Sequence, residues 1–99
     1  MKFYVKVHKS ERSCVVAIAD ENIICKTFKN NNGTKITVSE FFYKGELYDE
    51  EKTKKFLEEY SNVNIVGKNI VKLAEKLNLI KEEDILYFED VPHCQIYCI

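Results

Sequence analysis

Asn64-Ile65-Val66-Gly67-Lys68-Asn69-Ile70-Val71-Lys72-Leu73-Ala74-Glu75-Lys76-Leu77-Asn78 is the stretch whose reading decides the fold. Val66, Ile70, Leu73, Ala74 and Leu77 recur at helical spacing, and Lys68, Lys72, Glu75 and Lys76 fall outside that stripe. The pattern predicts the longest helix of the chain within residues 62–78, with those five apolar residues as its core stripe. Asn64 is the expected N-cap and Asn78 the expected left-handed residue at the C-terminal end.

Upstream of this helix the chain reads as strands. Phe3, Val5 and Val7 alternate with Tyr4, Lys6 and His8, the period of a half-buried strand. Cys14 to Ala19 is apolar enough for a central strand, and Asp20-Glu21-Asn22 turns out of it. Ile23–Lys29 and Thr34–Val38 flank Asn30-Asn31-Asn32-Gly33, residues that tolerate the positive φ of a tight hairpin. Ser39 suits the cap of a short helical turn ending near Gly45. Asp49 suits the cap of a helix running to about Tyr60, with Glu50 and Glu51 favourable in its first turn. Downstream, Ile85–Phe88 reads as a strand, Val91-Pro92 as a break, and Gln95–Cys98 as a final strand. Together these predict one α+β domain over residues 1–99. Its antiparallel or mixed sheet has about five to six strands, and two helices pack on one face.

Composition narrows the function. The net charge is −1, but residues 1–44 carry eight Lys/Arg against four Asp/Glu, and residues 45–99 carry seven against twelve. A weakly acidic chain thus contains a basic half, which permits a local nucleic-acid face. The N-terminus alternates rather than forming a signal sequence, and no run approaches the ~20 apolar residues of a membrane span. A cytoplasmic protein with no membrane partner is the expectation.

Motif chemistry is mostly excluded. The glycines are Gly33, Gly45 and Gly67, so neither a dinucleotide fingerprint nor a Walker loop exists. Cys14 and Cys25 are isolated. Cys94 and Cys98, four apart on a strand, would lie about 13 Å from each other at about 3.3 Å per residue. That is too far for a disulfide or for two sulfurs each about 2.3 Å from one zinc. No metal and no cofactor are expected. His93 precedes Cys94, but neighbouring strand residues point to opposite faces, so adjacency makes no catalytic dyad.

Two candidate sites remain. Lys26, Lys29, Lys35 and Lys44 accompany Phe28 and Phe41-Phe42-Tyr43, and lysines interleaved with aromatics supply phosphate contacts and base stacking. RNA, rather than DNA, is the expected nucleic acid. The second site is polar. Asn64, Gly67 and Lys68 open the helix and suit either an anion or a plain cap, and Asp20 ends the central strand. Pro92 is expected to interrupt the sheet, leaving His93 at the start of a strand with Gln95 on the same face. His93, Gln95 and Asn64 would then form a ligand site in a small enzyme or binding protein; a subunit that only assembles with a protein partner is the third class.

A wider resemblance joins these segments. Lys6-Val7-His8, Ala19-Asp20-Glu21, Lys26-Thr27-Phe28, Val38-Ser39-Glu40-Phe41-Phe42-Tyr43, Asn64-Ile65-Val66-Gly67 and Val91-Pro92-His93-Cys94-Gln95 resemble the archaeal family known as domain of unknown function 424 over essentially the full chain. The Val-Pro-His-x-Gln ending and the Asn-x-Val-Gly segment are the more specific marks. The resemblance implies an archaeal cytoplasmic protein and, through gene neighbourhoods, an association with ribosome or translation factors; no activity carries over. The chain departs from the family pattern at Cys25 and Asn78, where glycine is common, and at Cys94, where alanine is.

Overall fold

A computed structural model describes residues 1–97. Its strands are β1 (Lys2–Lys9), β2 (Cys14–Asp20), β3 (Thr27–Lys29), β4 (Lys35–Thr37), β5 (Glu46–Asp49), β6 (Asn62–Val66), β7 (Leu86–Phe88) and β8 (Val91–Tyr97). The helices are α1 (Glu40–Tyr43), α2 (Glu50–Glu59) and α3 (Lys68–Lys76), and short 3-10 turns follow β2 and precede β7. Six strands form one mixed sheet in the order β5-β1-β2-β6-β8-β7, and β3-β4 is a separate hairpin. Every neighbouring pair in the large sheet is antiparallel except β2 with β6.

Alternation assigns the two faces. Phe3, Val5, Val16, Ile18, Val63, Ile65, Cys94 and Ile96 pack together with Leu57 of α2 and with Ile70, Val71, Leu73 and Ala74 of α3. Both longer helices therefore lie on one face, as the sequence predicts. The opposite residues of the central strands, Ala17, Ala19 and Val66, meet Val38, Tyr43 and Val91, with Phe28, Ile36 and Phe42 against them. The hairpin and α1 roof this second face. Alanine at positions 17 and 19 keeps β2 low enough for that roof to settle, and β2 is buried on both sides as its composition demands.

Local chemistry explains several boundaries. Ser39 accepts a hydrogen bond from the Phe42 amide, and Asp49 accepts one from Lys52, so both caps act where the sequence places them. Gly33, at φ 87°, closes the hairpin loop by donating to the Asn30 carbonyl. Asn78 has φ 60° after α3 and Cys25 has φ 70° before β3, both conformations that favour glycine.

Three expectations need correction. Residues 62–66 are strand, not helix: Val66 belongs to β6, and Asn64 is paired there rather than capping α3. The longest helix is α2, with ten residues against nine in α3. Finally, β8 starts at Val91, so Pro92 lies within the sheet opposite Tyr87, and His93 pairs with Val66 on one side and Leu86 on the other. Proline fits because β6 has ended beside it. Its missing N–H costs no ladder bond there, and its carbonyl accepts from Gly67. Any pairing of Cys94 with Cys98 lies outside the described residues.

Candidate functional site

The parallel pair decides where the site lies. Ala19 of β2 and Val66 of β6 are partners, so Asp20 and Gly67 emerge side by side at the carboxyl ends of those strands. From there the chain diverges: β2 runs into the hairpin and α1 on the second face, and β6 turns into α3 on the first. Such divergence at the carboxyl ends of parallel strands opens a crevice. Here it is a cavity of about 240 Å³ lined by Asp20, Asn22, Lys26, Phe28, Lys68 and Asn69, among others.

The floor of the crevice is a cap built across fifty residues of sequence. Both Asp20 carboxylate oxygens accept 2.9 Å hydrogen bonds, one from the Asn69 amide and one from Ile70, at the start of α3. Gly67, at φ 123°, permits this contact, because a Cβ there would fall onto the Asp20 carboxyl carbon. The helix N-terminus that the sequence offers to an anion is thus filled by the protein's own carboxylate. Burial pushes the Asp20 pKa up, and the two amide hydrogen bonds oppose that shift.

The walls differ in character. Lys26 is exposed, and Phe28 contributes an apolar side to the same wall. Asn22 and Asn69 have side-chain amides without hydrogen-bond partners among the described residues, and Lys68 holds Asp90 at 2.7 Å. Lys29 and Lys35 stand opposite each other in the hairpin, on the side away from Phe28 and Ile36. Lys44, by contrast, ends α1, bonds Glu40 at 2.9 Å, and lies over the Tyr4 ring. Three of the four candidate lysines therefore belong to the hairpin segment, and the fourth belongs to α1.

The expected polar site divides as well. Asp20 and Gly67 are in the crevice. Asn64 and Gln95, partners across β6 and β8, bond each other at 2.8 Å; Asn64 also accepts from the Tyr43 hydroxyl and Gln95 donates to Asn62. This row joins the second face to its roof and leaves these amides satisfied; burial pushes the Tyr43 phenol up. His93 is half-buried, packs edge-on against Phe88, and has an Nδ1 without a partner among the described residues. Burial holds its imidazole below the ordinary value. His8 is engaged elsewhere: its Nε2 lies 2.8 Å from the Phe42 carbonyl, and its ring stacks on Phe42. The sequence pointed to Asp20, Lys26, Phe28 and Gly67 but missed Asn22 and Asn69, polar residues whose placement depends on the parallel pair.

Among the described residues there is no cluster of three or more His, Cys, Asp or Glu able to hold a metal ion, and no helix is long and apolar enough to cross a membrane. No curated protein matches the chain. An uncharacterized conserved protein from Methanopyrus kandleri has a crystal structure similar to this one, with a TM-score of 0.77 and 24% identity, over 98% of this chain and 91% of that chain. That likeness is one of fold. Residues 8–99 match a family described as protein of unknown function (DUF424), and the chain belongs to that family.

Proposed function

We propose that this member of a family of unknown function is a non-enzymatic, RNA-associated binding module, and that an unstacked base of single-stranded RNA enters the crevice between the hairpin and α3. The observation that carries the reading is the lining of that crevice, where Phe28, Lys26 and the free amides of Asn22 and Asn69 share one cavity. Single-stranded RNA is recognised by stacking splayed bases on aromatic rings and by hydrogen bonds to their edges. Carboxamides present a donor and an acceptor together, which suits a base edge. Lys26 on the crevice wall, with Lys29 and Lys35 on the outer side of the hairpin, provides phosphate contacts. The buried acid, Asp20, has both oxygens committed to α3, a structural rather than a catalytic role.

Fluorescence anisotropy with a labelled single-stranded oligoribonucleotide tests this. Each phosphate contact contributes a slope of about −0.7 in log affinity against log salt, so three lysines predict about a twentyfold loss between about 50 and 200 mM salt. Lys26→Glu should weaken binding and flatten that slope while leaving Tm unchanged, because the side chain is exposed. Undiminished binding by Lys26→Glu, or affinity indifferent to salt, overturns the reading.

A further inference from the structure

The two edges of the large sheet are guarded differently. β5 carries Glu46 and Asp49 within the strand and leads directly into α2. β7, at the other edge, is Leu86-Tyr87-Phe88, without charge, proline or glycine, and β8 pairs only one side of it. Leu86 is 61% exposed and Tyr87 46%. β7 is short, three residues, but an uncharged edge strand with exposed apolar side chains is still a template for another strand.

Here the charge stands at the ends of the strand instead. Glu82, Glu83 and Asp84 precede β7 and Glu89 and Asp90 follow it, with no Lys or Arg between residues 82 and 90. Of these five acids only Asp90 has an ion pair, with Lys68, among the described residues. Several are nonetheless held in place: Glu82 accepts from the Tyr87 hydroxyl, Asp84 from the Lys81 amide, and Glu89 from the Lys29 amide. Glu89 keeps φ 59° in the β7–β8 turn while its own amide donates to the Lys29 carbonyl. Two copies of β7 paired antiparallel would set the acids of one copy against those of the other, so a second copy of this chain is disfavoured.

We propose that β7 accepts an extended basic segment of another protein as a seventh strand. The segment pairs through its main chain, packs alternate apolar side chains on Leu86 and Tyr87 from opposite faces, and places Lys or Arg against the acids at either end. This inference is independent of RNA binding in the crevice.

The probe is a labelled synthetic nonapeptide of alternating Val and Thr flanked by lysine pairs, with a glutamate-flanked counterpart. Anisotropy and amide chemical-shift mapping are read together. The expected result is shifts centred on Leu86–Phe88, binding at least about tenfold tighter for the basic peptide, and an advantage that shrinks with salt. Leu86→Lys should weaken binding about tenfold at unchanged Tm, since the side chain is exposed, and Glu83→Lys should weaken only the basic peptide. Equal binding of the two peptides, shifts away from β7, or self-association that Leu86→Lys abolishes would each overturn the proposal.

Discussion

The two faces of the sheet are built from different materials. Beneath α2 and α3 the packing is aliphatic and continuous, from Phe3 and Val5 through Ile18 and Ile65 to Ile96. Beneath the hairpin and α1 the core is smaller, and it shares its surface with the Tyr43–Asn64–Gln95–Asn62 row and with the lysine-bearing roof. A face filled by branched side chains stabilises the fold but offers a ligand nothing directional. The second face has hydrogen-bonding groups with fixed geometry and is roofed by short elements. On the proposed reading, stability and recognition are separated across one sheet, and the crevice opens where the chain passes between its two faces.

The largest expected effect tests the first face. Ile65 is fully buried, so Ile65→Ala should cost about 3–4 kcal/mol in chemical denaturation through lost transfer energy and a residual cavity. Any RNA affinity should survive in the fraction that remains folded. Selective loss of binding with stability intact would break the division between the faces.

His93 gives a smaller, pH-dependent effect on the second face. Its pKa is lowered by burial from the ordinary 6.5, so the unfolded chain binds this proton at higher pH than the folded chain does. The stability linked to His93 is therefore complete above pH 6.5 and lost as the pH falls through the lower folded value. The expected loss of stability therefore appears in mild acid, below pH 6.5. Thermal melts of the wild type and His93→Phe should diverge there; parallel profiles would remove His93 from the account.

The smallest effect concerns the roof. Cys25 is exposed at φ 70°. Glycine there relieves about 1–2 kcal/mol of left-handed strain while adding about 0.4–1 kcal/mol of unfolded-state entropy. Cys25→Gly should therefore raise stability by about 0.5 kcal/mol, measured as a shift in denaturation midpoint at constant slope. A loss instead would show that the thiol makes a contact on which the roof depends.

Features carried by local chemistry were legible. Asn30–Gly33 encoded the hairpin, Ser39 and Asp49 encoded caps, and the alternation in β1 fixed its faces. One left-handed position was also legible: Asn78, expected to be the left-handed residue after the helix, has φ 60°. Residues 62–66 misled because a strand flows into a helix through Gly67 alone. Val66 continues the helical stripe of Ile70 and Leu73 by spacing, although the backbone reverses its period just after it. Reading Pro92 as a break failed for a different reason: the cost of its missing N–H depends on what lies beside it, and β6 has already ended there.

By itself the sequence determined the α+β class, the caps at Ser39 and Asp49, the hairpin turn and the Ile70–Leu73–Ala74 part of the larger core, because each follows from side chains within a few positions of one another. It also singled out Asp20, Gly67 and Lys26 as unusual. Only the tertiary structure decided what those residues do. Pairing β2 with β6 in parallel brings Asp20 to the amides of Asn69 and Ile70, converting an anion-binding helix start into a closed cap. The same pairing opens the crevice beside that cap and places Asn22 and Asn69 on its walls. Hydrophobic period specifies which face of a strand is buried, but it carries no information about which strand, fifty residues away, will lie next to it.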